Sequence, residues 1–302
     1  MIVRGNFGHG LHGFRGSLRI VGLLFPSVTS VKSVVESPAC NDPDTFFGRC
    51  GGEPGRHALN KRLKGLQEEL AADFTVVNGE NAAGGRGISG KQCIELLRAG
   101  ATVITTGDHV WDQKDLPAYI ETEPRLLRPC NYPAGTPGAG SVVLETPKGP
   151  VGVLNVRGLT FMNPPLDNPF HRAMEEVEKM RAVTKAIFVD VHAETTSEKI
   201  ALGRYLDGKV SAVVGTHTHV QTADEQIFPG GTAFLCDAGM CGAAESILGR
   251  TKESILRRFL TGMPTSLPVA TGAVQICGVC IDVDETNGFA VAIRRVQELV
   301  AV

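Results

Sequence analysis

Short runs of β-branched and apolar residues alternate with segments of helical periodicity from about residue 53 to the end of the chain. Residues 57–72 contain the first helical pattern, with leucines at three- and four-residue spacing on one face: Leu59, Leu63, Leu66 and Leu70. The apolar run "DFTVVN" that follows predicts a buried strand. No long linker or repeat interrupts the alternation, which predicts an α/β protein.

The same reasoning predicts the remaining elements. A helix begins after Ser89 and ends at Gly100. Strands are predicted at residues 102–107, 140–146, 149–156, 185–191, 209–215, 231–237 and 272–283, and helices at residues 169–184, 197–205 and 252–261.

Polar side chains that can bind metal or move protons follow four of the predicted strands. They are Glu80 and Asn81, Asp108 and His109, His192, and finally His217 and His219. Because ligands bind at the carboxyl ends of strands in α/β sheets, four separate loops would bring these groups to one crevice. If the chain stays extended past Gly215, His217 and His219 also point to one side.

These residues form a mixed nitrogen and oxygen ligand set that suits Fe, Mn, Zn or Co better than Mg or Ca. It exceeds the needs of a single zinc ion. Two ions about 3.5–4 Å apart, bridged by Glu80 and a hydroxide, would use the set fully and would favour phosphoester hydrolysis. Taken singly, each residue has a simpler reading: Glu80 and Asn81 as a cap or turn, Asp108 and His109 as a turn, and His192 as a core histidine.

Composition argues against nucleic-acid binding, membrane association and cysteine-based chemistry. The 302-residue chain has a formal net charge of −2 and no basic block, which argues against binding to duplex nucleic acid or a membrane surface. No stretch has the roughly 18 uninterrupted apolar residues of a membrane span. The eight cysteines are scattered, and the C-x-x-C of Cys277 and Cys280 lies in an apolar strand pattern, so we expect packed thiols rather than redox or zinc chemistry.

Six stretches together resemble the calcineurin-like metallophosphoesterases, most closely their bacterial YmdB-like branch: "NGENAAGGRGI", "TTGDHVWD", "RPCNYPAGTPG", "FVDVHAETTSEK", "GTHTHVQTADE" and "GGTAFLCDAGM". The resemblance extends from about residue 53 to the C-terminus. It implies a four-layer αββα sandwich, two divalent metal ions, and phosphodiesterase activity on small phosphodiesters such as 2′,3′-cyclic nucleotides. It also implies a homo-oligomer, and it allows RNA ends as a second class of binding partner.

Carried over by position, the resemblance implies a role for each candidate residue. Glu80 would bridge the ions, Asn81 and His219 would complete one metal site, and His192 and His217 would serve the other. Asp108 stands where the family usually has asparagine; its carboxylate can also bind metal but adds negative charge. His109 would assist departure of the leaving oxygen. Arg157 and Thr216 are weaker candidates for phosphate contact.

One expected ligand is missing. The family begins with a strand ending in Gly-Asp, and that aspartate binds metal. The matching stretch "DTFFGRCGGEPGRHAL" has Arg49 there, and an arginine would repel two divalent ions. Residues 48–52 can be encoded by bases that, read one position later, give Gly-Asp-Val-Val. We therefore hypothesise that residues 1–52 are an out-of-frame, non-native segment and that residues 53–302 form a single metallophosphoesterase domain.

Two consequences depend on this hypothesis. If it holds, the transit-like composition of the first 40 residues has no targeting meaning and the protein is cytoplasmic; if the segment is genuine, it marks export or an organelle. As it stands, the chain lacks one metal ligand and a core strand. The alternative function is therefore a metal-poor pseudoenzyme, or a regulatory protein that binds a nucleotide or an RNA end.

Overall fold

Two six-stranded sheets pack face to face at the centre of the molecule, and helices cover their outer faces. The computed structural model describes residues 17–24 and 52–301. The strands in chain order are β1 (Ser17–Leu24), β2 (Phe74–Asn78), β3 (Val103–Thr105), β4 (Ser141–Leu144), β5 (Val151–Arg157), β6 (Ala186–His192), β7 (Ala212–Thr216), β8 (Gln226–Ile227), β9 (Ala233–Leu235), β10 (Gly242–Ala243), β11 (Val274–Asp284) and β12 (Ala290–Val300).

The first sheet has the order β10-β11-β1-β2-β3, with β12 also paired to β11. In it β1, β2 and β3 are parallel, whereas β11 is antiparallel to β1 and β12. The second sheet has the order β4-β5-β6-β7-β9-β8, in which β5, β6, β7 and β9 are parallel. Parallel strands at the centre of both sheets place their carboxyl ends at a common edge.

Helices lie outside both sheets. They are α1 (Glu53–Leu70), α2 (Gly90–Ala99), α3 (Leu116–Tyr119), α4 (Pro169–Arg181), α5 (Thr196–Tyr205) and α6 (Lys252–Thr261). Apolar side chains of α1 and α2 pack on the first sheet, and those of α4 and α5 pack on the second. The predicted four-layer αββα sandwich is confirmed. Ser89 begins α2 with a capping box to Gln92, as its sequence position predicted.

The strand side chains divide between two cores because successive residues of a strand face opposite sides. In β2, Val76 packs between the sheets and Val77 packs against the helices. In β6, Phe188 lies between the sheets and Val189 faces the helices. Central strands are therefore buried on both faces, which accounts for their continuous apolar runs.

Residues 17–24 form a strand that was not expected. We predicted that the chain lacks the first core strand, but β1 lies between β2 and β11 in the first sheet. Leu18 and Ile20 are buried between the sheets, whereas the intervening Arg19 points to the other face of the first sheet and pairs with Asp282 of β11. Of the rest of the segment proposed to be out of frame, only Gly52 is described; Arg49 lies outside the described residues.

The cysteines of the described residues are packed thiols. Cys277 and Cys280 are both buried and free of disulfides. They are three residues apart in β11, so their side chains lie on opposite faces of the sheet. Burial raises the pKa of Cys277 to about 11, which disfavours the reactive thiolate. The predicted packing role agrees with this placement.

Among the described residues, no helix combines the length and the apolar composition that crossing a bilayer requires.

Candidate metal centre

Side chains from both sheets meet at the carboxyl ends of the central strands. Glu80 and Asp108 follow β2 and β3 of the first sheet, whereas His192 ends β6 and His217 follows β7 of the second. One ligand atom from each of these four residues lies within 4.8 Å of the others. We refer to Glu80, Asp108, His192 and His217 as the ligand cluster. The convergence expected from four separate strand ends is present.

His192 lies at the centre of the ligand cluster. Its Nε2 is 2.9 Å from Glu80 Oε2, 2.9 Å from Asp108 Oδ1 and 3.0 Å from His217 Nδ1. The side chains of Glu80 and His192 are each only 1% exposed. Four atoms that can each present a lone pair therefore face one another in a site that is largely closed to water.

A hydrogen-bond chain fixes the orientation of His192. Thr216 Oγ1 donates to Asp190 Oδ1 (2.8 Å), so the His192 Nδ1 that lies 2.9 Å from the same hydroxyl must donate to it. This arrangement directs Nε2 into the ligand cluster. Asp190 Oδ2 also accepts hydrogen bonds from Asn78 Nδ2 and Thr105 Oγ1, so it joins the two sheets below the site. Carboxylates commonly orient metal-binding histidines through such contacts.

A second carboxylate orients His217. Its Nε2 lies 2.9 Å from Glu194 Oε2, and because a carboxylate only accepts, Nε2 carries the proton. The hydrogen bond from His217 lowers the pKa of Glu194 and so keeps it ionised. His217 Nδ1 is then free to face the ligand cluster, 3.4 Å from Asp108 Oδ1.

The electrostatics of the ligand cluster favour a cation. Burial lowers the pKa of His192, but the charge of Glu80 and the contacts with Asp108 outweigh it and raise the pKa to about 10. Burial likewise opposes ionisation of Asp108, whereas its contacts with the imidazoles of His192 and His217 hold its pKa well below the usual range. A proton on His192 Nε2 thus occupies the position that a divalent ion would take, and metal binding would release it.

Gly107 makes room for this arrangement. A Cβ at this position would lie 2.3 Å from His192 Nε2 and 2.4 Å from Glu80 Oε1. Such contacts are far below van der Waals distance, so any side chain here would displace the ligand atoms. The donor types, their burial and this space together fit a divalent metal site.

Asn81 and His219 lie outside the ligand cluster. Asn81 is buried, and its Nδ2 donates to Gly85 O (3.1 Å), which leaves Oδ1 as the atom that could bind a cation. Burial lowers the pKa of His219 to about 3, so its imidazole stays neutral and able to bind metal. Each of these two side chains thus keeps a donor type that can bind a divalent ion.

The expectation of extended backbone past Gly215 is wrong. β7 ends at Thr216, and His217 and His219 have φ values of 95° and 70°. Left-handed backbone at residues other than glycine or asparagine costs of order 1–3 kcal/mol each and persists only where surrounding contacts impose it. The turn separates the two imidazoles, which explains why only His217 belongs to the ligand cluster.

A buried ion pair holds this histidine loop (residues 217–219) in place. Asp237 Oδ2 accepts hydrogen bonds from both the backbone N–H and the hydroxyl of Thr218, at 3.0 and 2.7 Å. Lys199 Nζ lies 3.0 Å from the same carboxylate oxygen and 2.9 Å from Thr218 Oγ1. The side chains of Lys199 and Asp237 are 1% and 0% exposed, so the middle of the loop is tied to a rigid, fully buried contact.

His109 lies beside the ligand cluster. Its backbone N–H donates to Glu80 Oε1 (2.8 Å), and its ring Nδ1 is 3.0 Å from Asp112 Oδ2. Burial lowers the pKa of His109, but the hydrogen bond with Asp112 and the charges of Asp108 and Glu80 raise it overall. A protonated imidazole here can donate a proton to an oxygen.

Arg157 and Thr216 are placed differently from the predicted phosphate contacts. Arg157 is fully buried, and its guanidinium donates to the carbonyl oxygens of Gly158, Asn163 and Pro164. The Thr216 hydroxyl is engaged with Asp190 and His192. Both residues support the site from within the protein, because their polar atoms are directed at protein groups.

Several residues of the site were not identified from the sequence. They are Asp190, Glu194, Lys199, Thr218 and Asp237. Asp190 could have been identified from the sequence, because an acid inside the apolar run "AIFVDV" must accept hydrogen bonds from buried donors. The others follow strand ends or lie on a helix, where polar residues usually face water.

Comparison with known proteins agrees with this geometry. Residues 45–296 match the family described as YmdB-like protein. The chain is 45% identical over 251 residues to the 2′,3′-cyclic-nucleotide 2′-phosphodiesterase of Bacillus subtilis (strain 168), an alignment that covers 83% of this chain and 95% of that protein.

Solved structures of related proteins have the same fold. A novel phosphatase from Mycoplasma pneumoniae is 31% identical, with a TM-score of 0.80 and 94% of each chain covered. A hypothetical protein from Thermus thermophilus is 35% identical, with a TM-score of 0.79 and coverage of 94% of this chain and all of the other. The chain belongs to the YmdB-like family and is a hydrolase of the metallophosphoesterase type.

Proposed function

We propose that this hydrolase cleaves small phosphodiesters of the 2′,3′-cyclic nucleotide type with the help of two divalent metal ions. The ligand cluster carries this proposal, because four lone-pair donors, three of them on buried residues, and two oriented imidazoles form a site for a divalent cation. The name of the Bacillus subtilis relative supports the substrate class. Fe, Mn and Zn are the ions best suited to such a mixed donor set.

The ligands divide into two groups around Glu80. Asp108, His192 and His217 would hold one ion, and Asn81 with His219 would hold the other, with Glu80 bridging both. When bound, such a pair of ions supplies a hydroxide nucleophile and neutralises the phosphate charge. Glu194 and Asp190 keep the two imidazoles oriented throughout.

His109 is the proposed proton donor to the leaving oxygen. Asp112 positions its ring; burial lowers the pKa of His109, but the surrounding carboxylates raise it overall and so favour the protonated imidazole. The backbone N–H of His109 donates a hydrogen bond to Glu80. The position of the proposed proton donor is therefore fixed relative to the proposed metal ligand. Arg157 and Thr216 are assigned to support of the site.

Two variants test the division of roles. His109→Ala should retain metal and lose kcat by about 10²–10⁴-fold, the usual range for a general acid. His217→Ala should lose metal affinity along with turnover. Metal content after dialysis and hydrolysis of 2′,3′-cyclic AMP with added Mn²⁺ measure both effects. Equal metal loss in the two variants would contradict the proposed roles.

The alternative is a metal-poor pseudoenzyme or a regulatory protein that binds a nucleotide or an RNA end. One observation favours it: Arg49 stands where the resemblance expects a metal-binding aspartate. Absence of turnover with Mn²⁺ together with nucleotide binding would support this alternative. A cytoplasmic location is a further proposal that rests only on reading residues 1–52 as out of frame.

A further inference from the structure

Phe161 combines exposure with a strained backbone. Its side chain is 78% exposed, and its φ is 61°. It is the third residue of a turn in which the N–H of Met162 donates to Leu159 O (3.1 Å). Glycine or asparagine is usual where this position has positive φ, and a bulky aromatic residue is an outlier there. An exposed side chain of this kind gains no burial that would offset the strain.

The loop that carries Phe161 is otherwise held firmly. We call residues 158–165 the rim loop. The buried Arg157 guanidinium donates to backbone oxygens at both ends of it. The Glu198 carboxylate accepts hydrogen bonds from the N–H groups of Leu159 and Thr160, at 2.9 and 3.2 Å. The rim loop is therefore a fixed support, and Phe161 is presented on it with little backbone freedom to lose on binding.

The rim loop begins at the metal centre. Arg157 pairs in register with His192, and the N–H of Gly158 donates to His192 O (2.9 Å). A Cβ on Gly158 would lie 2.7 Å from Ala193 Cβ, so the loop leaves the strand in close contact with the chain that carries the ligands. Phe161 is three residues further on, within about 11 Å of Gly158 along the backbone. Phe161 therefore lies on the loop that leaves β5 at the same strand ends from which His192 enters the ligand cluster.

We propose that Phe161 is a stacking platform for the base of a nucleotide substrate. This inference rests on the proposed function, because it assumes a phosphodiester at the ligand cluster. Every base has a π-face, so stacking on an exposed ring gives affinity with little selectivity among bases. The protein should therefore accept 2′,3′-cyclic nucleotides of all four bases and bind them better than the corresponding sugar phosphate.

The test compares Phe161→Gly and Phe161→Trp with the unchanged protein on two substrates. One is 2′,3′-cyclic AMP, and the other is the 2′,3′-cyclic phosphate of methyl riboside, which has no base. The glycine variant should raise KM for cyclic AMP roughly tenfold, the scale of one stacked base, with kcat changed less than twofold. Its kinetics on the base-free substrate should be unaltered, and the tryptophan variant should restore the KM.

Stability provides a second readout. Because glycine tolerates φ of 61°, the Phe161→Gly variant should melt at the same temperature as the unchanged protein or higher. A loss of affinity without a loss of stability separates a binding role from a structural one. Phe289→Ala is the matched control, since Phe289 is 39% exposed at the hairpin next to Lys185, at the opposite edge of the sheets.

Equal KM values for cyclic AMP in the glycine variant and the unchanged protein would overturn the proposal. If the unchanged protein hydrolyses neither substrate, the proposed function fails. The stacking inference is then tested separately, by calorimetric measurement of how tightly the unchanged protein and the glycine variant bind adenosine 3′-monophosphate and ribose 5-phosphate. A tenfold lower affinity of the glycine variant for the nucleotide, with unchanged affinity for the sugar phosphate, would still support stacking. Equal affinity of both proteins for the nucleotide would exclude it.

Discussion

A single glycine determines how closely the ligands can approach at the metal centre. Gly107 precedes Asp108, and the space that its missing side chain leaves is filled by His192 Nε2 and Glu80 Oε1. The neighbouring backbone cannot move away freely, because the His109 N–H is bonded to Glu80. The ligand geometry therefore depends on a residue that contributes no ligand.

Gly107→Ala should retain the fold and lose metal. The added methyl group would push His192 or Glu80 aside, and we expect metal affinity to fall by more than roughly tenfold, comparable to loss of an orienting partner. Calorimetric titration with Mn²⁺ and circular dichroism measure the two properties. Gly65→Ala on α1 is the control, since the atom it would meet is Nη1 at the far end of the Arg62 side chain, remote from the ligand cluster. Unchanged Mn²⁺ affinity in Gly107→Ala would refute this role.

At this scale the sequence predicted residue types well and conformations poorly. The members of the ligand cluster were identified because strand ends in an α/β protein converge. The left-handed turn at His217 and His219 was not predicted, because it depends on Lys199 and Asp237, which are distant in sequence. The role of Arg157 was also not predicted, since its guanidinium faces carbonyl groups of a loop whose path the sequence does not show.

At the scale of elements, the histidine loop depends on a helix and a strand that carry no ligand. Lys199 belongs to α5, and Asp237 follows β9. Thr218 links this ion pair to the loop through its hydroxyl. The packing of α5 against the second sheet thereby sets the direction of both histidines.

Thr218→Val tests this link while it leaves the direct Lys199–Asp237 contact of 3.0 Å in place. Valine has the shape of threonine without the hydroxyl, so we expect roughly tenfold weaker metal binding and a loss of about 1–3 kcal/mol in unfolding free energy. Thr218→Ser keeps the hydroxyl and should behave like the unchanged protein. Metal titration and thermal melts provide the measurements; identical metal affinity for the valine and serine variants would argue against the link.

Apart from β1, whose apolar run was attributed to a transit-like segment, elements with a strong apolar pattern were predicted and those without it were missed. All six predicted strands from β4 to β11 that have continuous apolar runs are present. β12 was missed because its side chains are mostly exposed and lack regular alternation. The two-residue strands β8 and β10 are too short for any periodicity.

At the scale of the whole molecule, the proposed two-ion site would have a more complete set of ligands for one ion than for the other. The ligand cluster offers four donors, whereas in the proposed arrangement Asn81 and His219 would share Glu80 and would lack the carboxylate expected from the family resemblance. An amide and an imidazole alone bind divalent ions weakly compared with sets that include carboxylates. We therefore expect unequal occupancy of the two sites.

Restoring the expected aspartate tests this asymmetry. The chain as it stands should retain about one ion after dialysis, and a chain with Gly-Asp-Val-Val in place of residues 48–51 should retain about two, as in other two-metal sites. Elemental analysis by mass spectrometry gives the ratio. Arg49→Ala removes only the positive charge and is the control. Two retained ions in the unrestored chain would show that the aspartate is not needed.

The cross-sheet origin of the ligands also affects how long the protein survives in a cell. Two ligands come from each half of the sandwich, and Asp190 joins the same halves below them. An ion that binds only the assembled halves stabilises the native state by mass action. We therefore expect chains that have not acquired metal to open more often and to be degraded sooner, so that the supply of metal would set the abundance of the enzyme as well as its rate.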